Sequence, residues 1–142
     1  MSVITVSCSA CRSDTPVAAS ELASRPRCQR CKQALGLNAP VEVNRDTADG
    51  VVRSATLPVL LVLYSPWQPQ SAMATPILQQ LAQKHAGRVL IARLNADVYP
   101  DLAKRYSATT LPTLVLLRGG AEKGRLVGAP SIADAERLIT GR

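Results

Sequence analysis

Cys8-x-x-Cys11 and Cys28-x-x-Cys31 repeat one spacing across sixteen intervening residues, and they hold every cysteine of the 142-residue chain. Two residues between cysteines let a tight turn aim both sulfurs at one point about 2.3 Å from a metal, and two such turns complete a tetrahedron. Soft sulfur ligands in a closed four-ligand shell favour one structural Zn2+ with no open position for chemistry. The remaining readings are unligated or disulfide-paired thiols, and a redox-sensing site that oxidises and ejects its zinc.

A second stretch with chemical potential is Trp67-Gln68-Pro69-Gln70-Ser71, which follows an apolar run and precedes a helical pattern. Ser71 is a candidate nucleophile only if a base reaches it. The single histidine, His85, lies fourteen residues further along the same expected helix, roughly 21 Å away at 1.5 Å per residue. A serine–histidine pair is therefore out of reach. His85 reads instead as a surface residue at a helix C-terminus, where its charge suits the dipole. Trp67 reads either as a half-buried wall of the fold or as the apolar floor of a peptide groove, since tryptophan is enriched at binding hot spots.

The elements that must position these groups fall into two units. Residues 1–34 are rich in Cys, Ser, Arg and small side chains and have little to bury. A unit this short needs a metal or a disulfide to fold. Residues 35–40 read as a linker through Gly36-Leu37-Asn38-Ala39-Pro40. Residues 41–142 form the larger unit. Val41-Glu42-Val43 alternates like a short strand, and Asp46 to Ser54 reads as a helix weakened by Gly50. Pro58 to Tyr64 is a continuous apolar run, as in a strand buried on both faces. Ala72 to His85 has helical period, with Met73, Ile77 and Leu81 on one stripe and Pro76 expected to kink it. Val89 to Leu94 is a strand, Pro100 to Tyr106 a short helix, and Leu114 to Leu117 a strand. Gly119-Gly120 turns into a returning strand at Gly124 to Val127, and Ser131 caps a last helix carrying Ile132, Ala135, Leu138 and Ile139. Strands alternating with helices imply an α/β fold: a mixed sheet, covered by helices on both faces, ending in an antiparallel hairpin.

Composition narrows the function classes. Hydrophobic residues make up 46% and charged residues 19%, which suits a globular chain with a core of Leu, Val, Ile and Ala, since there is no Phe. The longest apolar run, Leu57 to Tyr64, falls far short of the roughly 20 residues of a membrane span. No signal peptide is read at Met1 to Ala10, so the expected location is the cytoplasm, where paired cysteines bind metal more often than they form disulfides. The net charge of +7 falls to about +5 with zinc on four thiolates. Basic residues are scattered, and one Trp and three Tyr offer little stacking, so the charge reads as a solvated face rather than a nucleic-acid surface.

Several short segments, in order and spacing, resemble a known family. They are Ser65-Pro66-Trp67, Met73 and Pro76, Arg93-Leu94-Asn95-Ala96-Asp97, Leu102-Ala103-x-x-Tyr106, Leu111-Pro112-Thr113 and Val127-Gly128-Ala129. From Val41 onward the chain resembles thioredoxins, and with the amino-terminal unit it is similar to the zinc-ribbon thioredoxins of bacteria. The resemblance implies a thioredoxin fold preceded by a small zinc ribbon. It implies a cis peptide before Pro112, packed against the turn at residues 67–71. It also places a peptide groove at Trp67, Leu111, Pro112, Gly128 and Ala129. The family's redox turn carries Trp-Cys-Gly-Pro-Cys, and Gln68, Pro69, Gln70 and Ser71 stand there. The family's buried aspartate, which assists proton transfer to the second cysteine, aligns with Val62. The resulting expectation is a non-redox module that binds a protein or peptide partner. The alternative is a disulfide oxidoreductase using the ribbon cysteines.

Overall fold

The computed structural model describes residues 3–8, 10–18, 26–33, 35, 40–54, 57–85, 88–108, 110–128 and 131–140. A two-stranded antiparallel hairpin, β1 (Val3–Ser7) and β2 (Asp14–Ala18), comes first. The larger unit follows as β3 (Val41–Val43), α1 (Arg45–Ser54), β4 (Val59–Tyr64), α2 (Pro69–Lys84), β5 (Leu90–Asn95), α3 (Pro100–Arg105), β6 (Thr113–Arg118), β7 (Ala121–Val127) and α4 (Ile132–Thr140). Its five strands are ordered β3-β5-β4-β6-β7. The β3–β5 and β5–β4 pairs are parallel, and the β4–β6 and β6–β7 pairs antiparallel. This is the thioredoxin fold with an N-terminal hairpin bearing four clustered cysteines.

The central strand explains the two layers. Val59, Leu61 and Leu63 of β4 face one side, with Val51 and Val52 of α1 and Leu102 of α3. Leu60 and Val62 face the other, with Leu78, Leu81 and Ala82 of α2 and Ala135 and Ile139 of α4. A run without polar residues is therefore needed, because both faces are covered. Each fully buried aliphatic side chain contributes roughly 1.5–3 kcal/mol.

Several expectations shift. Helix α2 starts at Pro69, three residues earlier than its apolar period, because proline's fixed φ suits a first helical position and its missing N–H has no partner to lose there. It continues through Pro76. Strand β7 begins at Ala121, paired to Arg118, although its exposed residues show no apolar alternation. Ser131 caps α4 as expected, its Oγ accepting the Asp134 N–H at 3.1 Å. His85 corrects the surface reading: it is buried, with Nε2 3.0 Å from Glu136 of α4.

The amino-terminal unit buries more than its composition suggests. Ile4, Val6 and Val17 share one apolar cluster with Val41, Val43 and α1, and β1 touches both β3 and α1. Leu35 joins the same cluster, and its N–H donates to the Pro26 carbonyl at 2.8 Å.

Gly124 marks a close approach of β7 and α4. A Cβ there would stand 2.7 Å from Leu138 Cδ1. Gly124→Ala is expected to cost about 1–2 kcal/mol through overpacking, read as a lower urea midpoint. An unchanged midpoint would mean that Leu138 rotates away without loss.

Candidate functional site

The two cysteine turns are built alike. The Cys8 N–H donates to the Ser13 carbonyl at 2.9 Å and the Arg12 N–H to the Cys8 carbonyl at 2.8 Å. In the second turn the Cys28 N–H donates to Gln33 at 2.8 Å and the Lys32 N–H to Cys28 at 3.0 Å. Arg12 and Lys32, each just after the second cysteine of its turn, both take a left-handed backbone, with φ of 62° and 65°. The two turns face each other. All four sulfurs lie within 4.8 Å of one another. Cys8 Sγ is 3.6 Å from Cys31 Sγ, and Cys11 Sγ is 3.5 Å from Cys28 Sγ. A tetrahedron of ligands about 2.3 Å from its centre has edges of about 3.8 Å, so the cluster matches a four-sulfur metal shell.

The electrostatics lead to the same chemistry. Backbone N–H groups of Cys31 and Arg30 hold the Cys28 thiol down to about 6. The Gln33 N–H also lowers Cys31, but burial and three neighbouring sulfurs outweigh it and push that thiol up to about 11. The Ser13 hydroxyl and N–H lower Cys11. Four thiolates this close repel one another, and a cation among them removes that repulsion. The Gln29 N–H donates to the buried Thr15 hydroxyl at 3.1 Å and steadies the second turn. Thr15 carried no sequence signal for that role.

The other candidate residues gather where β4 ends and α2 begins. Gln68 is the N-cap of α2, exposed and without a side-chain capping bond. Pro69 is exposed in the first turn. Ser71 is buried, and its Oγ accepts the Ser65 N–H at 3.1 Å. Ser65 in turn donates its hydroxyl to Asp97 at 2.5 Å and accepts the Trp67 N–H at 3.4 Å. Ser65 and Asp97 thus fix the turn. Both stand among the marks of the resemblance, and nothing local in the sequence signals this role.

Trp67 is 86% exposed, which corrects the half-buried reading: this chain covers almost none of its ring. Leu111-Pro112 is a cis peptide, Pro112 is buried and Leu111 half-buried. The Gly128 N–H donates to the Pro112 carbonyl at 2.8 Å, tying β7's end to that loop. Gly128 has φ 89°, a conformation that glycine adopts without strain. Ala129 lies outside the described residues, as does the side chain of Gln70.

Beneath the turn is a cleft of ≈ 180 Å³ lined by Tyr64, Pro66, Ser71, Ala72, Thr75 and Arg93. The Arg93 guanidinium sits 4.3 Å over the Tyr64 ring and 3.4 Å from Glu42. Burial and the Glu42 carboxylate push the Tyr64 hydroxyl up to about 12. Its O–H therefore stays protonated and donates to Glu42 at 3.0 Å. No helix among the described residues is long and apolar enough to cross a membrane.

Comparison with known proteins agrees with the architecture. The thioredoxin family profile matches residues 39–140. Thioredoxin C-3 of Corynebacterium nephridii is 30% identical over 132 residues, spanning 93% of this chain and 90% of its own length. The chloroplastic M-type thioredoxin of Zea mays is 27% identical over 128 residues, spanning 90% and 77%. Among solved structures, a mutant thioredoxin from Halobacterium salinarum matches with a TM-score of 0.67 at 25% identity, over 75% of this chain and 92% of that one.

Proposed function

The chain belongs to the thioredoxin family, and from that premise we propose that it is a member without dithiol–disulfide exchange, which holds one structural Zn2+ and binds a protein or peptide partner. The carrying observation is chemical. Residues 32–142 contain no cysteine, and the two positions at the start of α2 hold Gln68 and Ser71. Exchange needs one thiolate to attack and a second thiol to resolve the mixed disulfide. A carboxamide does neither, and the Ser71 hydroxyl has no histidine within reach to activate it.

Zinc is the metal that suits four sulfurs in a closed shell and a cytoplasmic setting. Cys8, Cys11, Cys28 and Cys31 would hold it and gain fold stability in return. Cys8 and Cys28 are almost fully buried, which favours this static role over a ribbon that exchanges disulfides.

Partner binding would use groups that need no sulfur. The backbone at Leu111, ahead of Pro112, offers N–H and C=O groups to an extended segment. Trp67 supplies an uncovered apolar surface, with Gly128, tied to the Pro112 carbonyl, as the far wall. The exposed Gln68 offers amide hydrogen bonds. Insulin reduction with dithiothreitol is expected to stay at the reductant background for the zinc-loaded protein. A peptide from a captured partner is expected to shift the amides of Trp67, Leu111 and Gly128, and Trp67→Ala to weaken it at least tenfold, as for a hot-spot tryptophan. Insulin reduction well above background, or shifts confined to the ribbon, would overturn the reading.

A further inference from the structure

A second cleft lies on the far side of the sheet's edge, between the β6–β7 hairpin and α4. It measures ≈ 270 Å³ and is lined by Leu116, Arg118, Lys123, Leu138 and Ile139. Its floor is aliphatic: Leu116 and Ile139 are buried, and Leu138 packs against them. Two cations, both exposed, complete the lining.

The hairpin register explains why both cations line it. Leu116 pairs with Gly124 but Leu117 with Glu122, so Lys123 is an extra residue in β7, a bulge. Bulges re-aim a side chain and recur beside binding sites. Without the shift, strand alternation would send Lys123 to the face opposite Gly124. With it, Lys123 joins Gly124, Leu116 and Arg118 on the α4 face. Gly124 has no side chain and lets α4 approach.

The acids nearby are engaged elsewhere. Glu122 is held by Arg125 at 2.7 Å. On α4, Asp134 is 3.6 Å from Arg137, and Glu136 pairs with Lys84 and His85. Among the described residues neither Arg118 nor Lys123 forms an ion pair. An apolar floor under two cations, with no carboxylate among the described lining residues, is complementary to a small molecule with one anionic end.

The geometry points to this cleft as a binding site for a small amphipathic monocarboxylate, its short aliphatic tail on Leu116, Leu138 and Ile139 and its carboxylate between Arg118 and Lys123. The volume sits just below the roughly 300–1,000 Å³ of ligand pockets, so the tail is short. The site is independent of the groove beside Trp67.

The test titrates the full-length, zinc-loaded protein with hexanoate, hexan-1-ol and hexylammonium, following backbone amide shifts. Hexanoate is expected to give saturable shifts centred on Leu116, Gly124 and Leu138, with hexan-1-ol weaker and hexylammonium without effect. Arg118→Gln and Lys123→Gln are surface changes that keep the fold, and each is expected to weaken hexanoate about tenfold, the loss of one charge-assisted bond. Added salt should weaken it further. Equal binding of hexanoate and hexan-1-ol would show an apolar crevice only. That result, shifts elsewhere, or unchanged affinity in either variant overturns the proposal.

Discussion

Replacing Cys28 by serine is expected to abolish one-to-one zinc binding and to unfold the first unit. Structural zinc in small modules contributes on the order of 10 kcal/mol of apparent binding free energy, and that energy is folding energy for the part that holds it. Three remaining sulfurs leave an open, hydrated position and a weaker site. The loss reaches the larger unit too, because Ile4, Val6 and Val17 share one apolar cluster with Val41, Val43 and α1. Uncovering them costs about 1–3 kcal/mol, a drop of roughly 5–15 °C in Tm for a domain of this size. The larger unit keeps its own two-layer core and stays folded. Metal analysis, amide spectra and a thermal melt check the three parts. A strong chelator should reproduce the effect in the unaltered protein, and acid should do so as protons compete for sulfur. One zinc per chain in the variant, or an unshifted melt, would sink the expectation.

What was legible in the sequence followed the range of the interactions that set it. The cysteine turns were readable because a two-residue spacing is itself the local geometry, and the sulfurs converge as expected. The central strands were readable because burial on both faces leaves an unbroken apolar run. Ser131 was readable because a hydroxyl cap acts within three residues. The start of α2 was misplaced because Gln68 supplies no side-chain cap, and only Pro69 marked it. Strand β7 was cut short because its pairing to β6, and not its own pattern, makes it a strand. His85 was misread because its partner, Glu136, is 51 residues away. The hairpin of the first unit had a signal, the alternation of Ile4 with Val6 and of Thr15 with Val17, hidden by a low overall apolar content. The turn at residues 67–71 was legible in composition but not in mechanics. Ser65 and Asp97, which fix it, come from two different strand ends and meet only in the fold.

Those mechanics support the second large effect: Gln68→Cys with Ser71→Cys is expected to create disulfide reductase activity that the proposed function denies the parent. The two positions differ in the way exchange requires. Position 68 is exposed at the N-cap of a sixteen-residue helix whose first turn carries no acid. A thiol there is accessible to substrate, and the helix dipole lowers its pKa toward the thiolate. Position 71 is buried, one turn along, with the Ser65 N–H aimed at its side-chain atom. A thiol there is shielded from substrate but placed to attack a mixed disulfide formed at 68. Insulin reduction about tenfold or more above the dithiothreitol background is expected. On the resemblance, which sets Val62 at the place of the family's aspartate, proton transfer in the resolving step would remain unassisted. Val62 pairs in register with Arg93, whose buried Nε has no hydrogen-bond partner among the described residues. Adding Val62→Asp would give that N–H a carboxylate. Some of the several kcal/mol cost of burying the charge is thereby offset. The triple variant should therefore reduce insulin faster than the double while melting at a lower temperature. Activity in the parent equal to that of the double variant would show that the ribbon sulfurs already exchange. No activity in a folded double variant would show that more than the missing thiols separates this turn from its redox relatives.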